Sequence, residues 1–386
     1  MSMRAITFLQ PQRLTFGSGC IAQAVEYLKA PPERRIHIVC SKSIAATVEK
    51  IQRELTAHGC AVSIDRAGVG EPTIAAFEAA LGRAREANPQ CVLGIGGGSA
   101  LDLAKLIAAF VRNEQRIEDT FGIGLLSSRN CGLVCVPTTS GTGSEVSPNA
   151  ILLDEAAQLK KGVISPHLVP NAAFVDPELT RSVPPIVTAY TGLDALTHCV
   201  EAYTNKFAHP MVDLYALEGI RLCGRYLARA VVNGEDMEAR EGMSLASLYG
   251  GLCLGPVNTA AVHALAYPLG GEFHLPHGLS NAVLLPAVFR FNARASPERH
   301  AMVARALGAE EQGTALETAL AGARRLEQIT QECGIDTNLS SHGLERGSVP
   351  RMAAAAMMVT RLLRNNPREM TQADAERIYE QCFASS

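Results

Sequence analysis

The feature that most constrains this chain is a change of rhythm at Pro184-Pro185. Before that pair, short apolar runs alternate with helical patterns. Ile36–Cys40 reads as a buried strand, followed by a helix over Ala45–His58. Cys60–Asp65 with Thr73–Ala87, and Cys91–Ile95 with Ala100–Val111, repeat the unit, and Gly132–Pro137 reads as a further strand. Strands separated by helices pair in parallel, because each crossover helix carries the chain back to the same end of the sheet. After the pair, Ile186–Ala202, Met211–Val232, Met237–Leu252, Ser296–Leu307, Leu316–Cys333, Pro350–Leu363 and Thr371–Phe383 carry apolar residues at helical spacing with no strand between them. The expected architecture is therefore an α/β domain with a Rossmann-like parallel sheet over 1–183 and an all-α domain over 184–386. A length of 386 residues, 47% hydrophobic and 19% charged, is sufficient for two such cores.

Charge and targeting signals narrow the setting. A net charge of −3 without a long Lys/Arg run gives no footprint for nucleic acid or an anionic membrane surface. Met1–Phe8 lacks the basic and apolar segments of a signal peptide, and no apolar run approaches the ~20 residues of a membrane span. Eleven cysteines, an odd number at irregular spacings, read as reduced thiols rather than a disulfide framework. A cytoplasmic protein is expected. Cys131 and Cys135 share one face of a strand and do not suggest a zinc site.

Two polar patterns break the apolar rhythm of the first half. Gly96-Gly97-Gly98-Ser99 follows an apolar strand and opens a helix containing Asp102 and Lys105. Bare backbone at a helix N-terminus admits a pyrophosphate, whose charge the helix dipole favours, and Ser99 adds a hydroxyl. The second is Pro137-Thr138-Thr139-Ser140-Gly141-Thr142-Gly143-Ser144-Glu145-Val146, a loop of hydroxyls and glycines suited to a ribose or an amide. Gly17-Ser18-Gly19-Cys20-Ile21-Ala22 formally fits a dinucleotide fingerprint, yet no suitably placed acid follows it, and it reads as a turn.

The helical half holds a different chemistry. Asp194 and His198 lie four apart, on one helix face, and His263 and His277 follow at a distance of 14 residues from each other. One carboxylate with three imidazoles suits Fe(II) or Zn(II), with positions left open for a substrate oxygen. Singly, each histidine is ordinary, and His274 is a neighbouring alternative to His277. His167, His209 and His300 have no comparable partners.

In order along the chain, GGGSALDLAK, PTTSGTGSEVSPNAIL, FVDPELT, GLDALTHCVEAY, HALAYPLGG and PHGLSNAVLLP resemble the successive motifs of the group III, iron-dependent alcohol dehydrogenases, which include lactaldehyde reductase and propanediol dehydrogenase. The resemblance extends to Asn365–Arg368. It implies hydride transfer between NAD or NADP and a small alcohol or aldehyde, Fe(II) or zinc as the metal, and a homodimer. It places the metal ligands at Asp194, His198, His263 and His277. It places cofactor contacts at Gly97, Gly98, Ser99, Thr138, Thr139, Thr142, Asn149, Lys160 and Leu179, with Asp102 counted among them.

Three departures stand out. Tyr267 occupies a position where many members carry a second histidine; it is the candidate catalytic side chain, with two readings open, a hydrogen bond to substrate or a place in the cleft lining. Cys40-Ser41-Lys42-Ser43 replaces the acid that meets the adenosine ribose in NAD-specific members. Ser41 and Lys42 are therefore expected at the cofactor, where a 2′-phosphate would not be repelled. Leu254 takes the place of a common aromatic. A maleylacetate reductase-like oxidoreductase commonly has Asn at the Asp194 position, and a dehydroquinate synthase-like lyase would need a Lys/Arg cluster near the ligands; neither pattern is present.

Overall fold

The computed structural model describes residues 4–30, 34–66, 70–157 and 159–383. They form two compact units. One comprises Phe8–Thr139 with Gly143–Arg181; the other comprises the segment up to Thr7, Ser140–Thr142 and the chain from Ser182 onward.

In the first unit the elements run β1 (Arg13–Phe16), α1 (Ile21–Lys29), β2 (Arg35–Cys40), α2 (Ala45–Ala57), β3 (Ala61–Asp65), α3 (Ile74–Ala87), β4 (Cys91–Gly96), α4 (Gly98–Phe110), β5 (Gly122–Ile123), β6 (Gly132–Pro137), β7 (Asn149–Asp154), β8 (Leu159–Ile164) and β9 (Ala172–Val175). Six strands make one parallel sheet in the order β1-β9-β6-β4-β2-β3. The pleat sends alternate side chains to opposite faces. Val39, Val92 and Leu133 join Phe77, Leu101 and Phe110 in one core; Ile38, Leu93 and Val134 join Leu28, Val48 and Leu55 in the other. Burial on both faces explains why β2, β4 and β6 read as unbroken apolar runs.

A second sheet departs from the expected rhythm. Its order is β5-β8-β7, with β7 and β8 antiparallel. An antiparallel pair needs no crossover helix, so strand–helix alternation carries no sign of it.

The second unit is helical: α5 (Pro185–Thr204), α6 (Pro210–Val232), α7 (Met237–Leu254), α8 (Ala261–Phe273), α9 (His277–Ala293), α10 (Pro297–Ala306), α11 (Ala315–Glu332), α12 (Val349–Met357), α13 (Thr360–Leu363) and α14 (Gln372–Gln381). Pro185 is the first residue of α5, where a missing N–H costs no helical bond. The helix expected over 350–363 is instead two, because Val359 leaves the helical region at ψ 50°. The turn lets Leu362 bury against Ala264 and Tyr267. Thr371 and Asp374 exchange the reciprocal bonds of a capping box at the start of α14. Among the described residues no helix is long and apolar enough to cross a membrane. The eleven cysteines are free and buried.

Candidate functional site

In the α/β unit the helix that directly follows the central strand β4 has an N-terminus that no side chain caps. Gly96 takes φ +156°, and a Cβ there would sit 2.4 Å from the Ser41 hydroxyl, so only glycine lets β4 turn into α4 beside β2. Gly97 is the N-cap of α4, with Gly98 and Ser99 in its first turn, and no side chain caps that end. The N-terminus of α1 is different: the Asp176 carboxylate accepts from Gly19 N and Ile21 N, both at 3.1 Å. The fingerprint-like Gly17–Ala22 segment is thus already occupied by the protein's own anion, whereas no side chain takes up the donors that open α4.

The loop after β6 is fixed by Lys105, a residue that the sequence placed in the helix after the glycine cluster without a role of its own. Lys105 is fully buried, and its ammonium donates to Ser144 O at 2.9 Å, Ser144 Oγ at 3.1 Å, Ser147 Oγ at 3.3 Å and Asn149 O. Asp102 completes the net: its carboxylate accepts from Ser144 Oγ at 2.5 Å and from Ile151 N at 2.9 Å. Both Asp102 oxygens are therefore engaged by the loop and by β7. Its observed part is to position the residues expected at the cofactor, not to project a free carboxylate. Burial depresses Lys105, opposed by Asp102, and burial pushes the neighbouring Glu145 up to about 7. The helical spacing of Asp102 and Lys105 near a glycine turn was the available signal.

The remaining expected cofactor residues of this unit cluster less tightly. Thr138 is buried and donates its N–H to Gly96 O; Thr139 approaches the Gly97 position. Asn149 begins β7, with its side-chain oxygen buried and unbonded. Lys160 lies on β8 and pairs with Glu71 at 2.5 Å. Ser41 is half-buried after β2, Lys42 is exposed beside it, and Leu179 packs partly against the core under β2 and β4. Thr142 groups with the helical unit.

In the helical unit, three helices converge on one carboxylate. Asp194 and His198 lie on successive turns of α5, His263 in the first turn of α8, and His277 opens α9. Close approach at α9 depends on Gly278, where a Cβ would stand 2.1 Å from Tyr190 O of α5. The Nε2 atoms of His198, His263 and His277 lie 3.6, 3.5 and 3.5 Å from Asp194 Oδ1. Asp194, His263 and His277 place ligand atoms within 4.8 Å of one another. His198 joins through its 3.6 Å contact and by stacking on His263 with centroids 4.8 Å apart.

These separations decide between two readings. At 3.5–3.6 Å the nitrogens are too far from Oδ1 for direct hydrogen bonds. Donors ~2.1 Å from a shared tetrahedral cation lie ~3.4 Å apart, so the set fits an ion of that size. His198 Nδ1 is buried and unbonded, and it is Nε2 that faces Asp194. Burial would raise Asp194, yet the imidazoles of His198, His277 and His263 hold it below the ordinary carboxylate range. Burial lowers His198 to about 4, so it stays neutral at pH 7 with a free lone pair.

Glu201 is the functional residue that the sequence reading missed. Its Oε2 lies 2.6 Å from His263 Nδ1, and its Oε1 accepts from Val262 N at 2.6 Å. One carboxylate thereby caps the start of α8 and orients the histidine there; Ala260, the N-cap residue, supplies no side-chain bond. Burial would depress His263, but Glu201 and Asp194 outweigh it and lift it to about 9. Asp194, His198 and Glu201 form an i, i+4, i+7 stripe, which was the legible clue. Glu201→Gln is expected to weaken divalent-cation affinity by ~10–100-fold, measured by chelator competition.

Other histidines are accounted for locally. His274 is exposed at the C-cap of α8, apart from the cluster. His209 accepts from Met211 N to cap α6, and His300 bonds Ser296 and packs edge-on against Phe289. Tyr267, one turn beyond His263, is buried with Ala264 and Leu362, flanked by Val359 and Leu363.

Comparison with known proteins agrees along the chain. Residues 11–177 match the family described as iron-containing alcohol dehydrogenase, and residues 188–383 match the C-terminal part of the Fe-containing alcohol dehydrogenase family. The chain is 37% identical to long-chain-alcohol dehydrogenase 1 of Geobacillus thermodenitrificans, with 100% of this chain and 98% of that one covered. It is similar to the crystal structure of a 1,3-propanediol oxidoreductase (TM-score 0.92, 32% identity, 98% of this chain and 100% of that chain). A sulfoacetaldehyde reductase from Bifidobacterium kashiwanohense in complex with NAD+ aligns with a TM-score of 0.87 at 28% identity, covering 99% of each chain.

Proposed function

We propose that this chain, which belongs to the iron-containing alcohol dehydrogenase family, interconverts a small alcohol and its aldehyde by hydride exchange with a nicotinamide dinucleotide. The observation that carries the reading is the convergence of three imidazole Nε2 atoms on Asp194 Oδ1 at 3.5–3.6 Å. Asp194, His198, His263 and His277 would hold the cation, Fe(II) with Zn(II) as the other candidate. When bound, the cation supplies Lewis acidity toward a substrate oxygen, and the nicotinamide supplies the hydride.

The chain's own residues do the positioning. Asp194 brings the single negative charge, His198 a neutral nitrogen, and Glu201 the orientation of His263. Gly97, Gly98 and Ser99 present the α4 N-terminus to the pyrophosphate. Thr138, Thr139, Thr142, Asn149, Lys160 and Leu179 complete the dinucleotide contacts, with Asp102 and Lys105 holding the loop. Tyr267, one helical turn from His263, is read as the side chain that meets substrate.

Ser41 and Lys42 bear on the choice of dinucleotide. The segment Cys40–Ser43 at the end of β2 carries no acid to repel a 2′-phosphate, and the exposed Lys42 attracts one. NADPH is expected to serve at least as well as NADH. A kcat/KM ratio favouring NADH by more than about a hundredfold, ~2.7 kcal/mol, would remove this expectation.

The deciding experiment is a spectrophotometric screen of alcohols and aldehydes with both nicotinamides, using metal-free protein reloaded with Fe(II) or Zn(II). Turnover should require the cation; full turnover by demonstrably metal-free protein contradicts the reading. The reading includes a cytoplasmic location and a homodimer, and light scattering of the purified protein checks the second.

A further inference from the structure

The geometry points to Asn281 as a positioning residue of the cation site, acting through Asp194; this rests on the cation-binding reading above. Asn281 lies on α9 four residues after His277, on the same helix face, and is fully buried. Its carboxamide nitrogen donates to Asp194 Oδ1 at 2.7 Å. The same nitrogen is 3.2 Å from His263 Nε2 and 3.4 Å from His277 Nε2. One side chain therefore touches three of the four donors expected to share the ion.

Two physical requirements make an amide suited to this place. Asp194 is buried, so without a protein donor its carboxylate oxygen could rotate away from the imidazoles or stand unsatisfied. A lysine or arginine would meet that need but would repel an incoming dication and offset the negative charge of Asp194. The carboxamide supplies the N–H without charge. The 2.7 Å bond to Asp194 is the shortest of its contacts, so that carboxylate is what it orients most firmly. The placement is set by α9 itself: the turn that begins at His277 brings Asn281 round to the same point.

The test uses metal-free full-length protein, Zn(II) titrated against a fluorescent chelator, and the visible absorption bands of the Co(II)-loaded form. Asn281→Ala is expected to raise the Zn(II) Kd by ~10–100-fold and to shift the Co(II) bands, because Asp194 is no longer held. Asn281→Leu, which keeps the volume of this buried position and removes the donor, should do the same and preserves the comparison if the alanine variant does not fold. A variant with lowered Tm but unchanged Kd and unchanged Co(II) bands overturns the inference, leaving Asn281 a packing residue. Wild-type protein that takes up no cation removes the cation-binding reading and this inference together. Wild-type uptake with equal uptake by the variants sinks this inference alone.

Discussion

Replacing His263 with alanine is expected to abolish cation-dependent turnover and to destabilise the helical unit at the same time. His263 is held through Nδ1, 2.6 Å from Glu201 Oε2, while its Nε2 faces Asp194 Oδ1 at 3.5 Å. Its loss removes a donor from the cation set, which should lower kcat/KM by more than the ~100-fold typical of an outer partner. It also strands the buried Glu201 carboxylate on the single N–H of Val262. Breaking a buried ionic pair on one side costs about 3–5 kcal/mol.

The two effects separate in a double variant. Adding Glu201→Gln to His263→Ala removes the stranded charge and should recover part of the lost stability, with no return of activity. Thermal unfolding of the metal-free single and double variants reads the first effect, and steady-state kinetics the second. A His263→Ala protein that keeps its cation and turns over within ~100-fold of the parent would contradict the assignment of His263.

The second large effect is predicted at Lys105, far from the histidines in sequence and confined to the α/β unit. Lys105→Met keeps the length of the side chain and removes the ammonium. Ser144 O and Asn149 O then lose a common donor, and Asp102 and Glu145 lose the nearest positive charge. A loss of about 3–5 kcal/mol is expected in urea unfolding of that unit, the range for breaking a buried pair. The loop from Thr138 to Asn149 should loosen, so dinucleotide binding falls while Zn(II) affinity stays, the cation donors all lying in the helical unit. A change in stability below ~1 kcal/mol would mean that water replaces the ammonium in the net.

Several local features can be read without a structure because they depend on neighbours in sequence. The parallel strands β2, β4 and β6 are legible as apolar runs, since burial on both faces leaves no polar alternation. Asp194 and His198 are legible as a pair because a helix repeats every 3.6 residues. The opening of α4 is legible because a glycine cluster following a strand has few other uses. Helices α8 and α9 are not: they are apolar nearly all round and contain Pro268 and Pro286, so neither an amphipathic stripe nor uninterrupted propensity marks them.

What the amino-acid order determined by itself was the inventory of chemistry, one carboxylate with three imidazoles and a hydroxyl-rich loop after a strand. Only the tertiary structure decided how these meet. Packing of α5, α8 and α9 sets the 3.5–3.6 Å convergence on Asp194, and it alone recruits Glu201 and Asn281. Likewise Asp102 turns to Ser144 and Ile151, residues more than forty positions away. The reason is physical: periodicity reports which face of an element a residue occupies, whereas which buried polar groups satisfy one another depends on distances between elements, and no spacing along the chain encodes those directly.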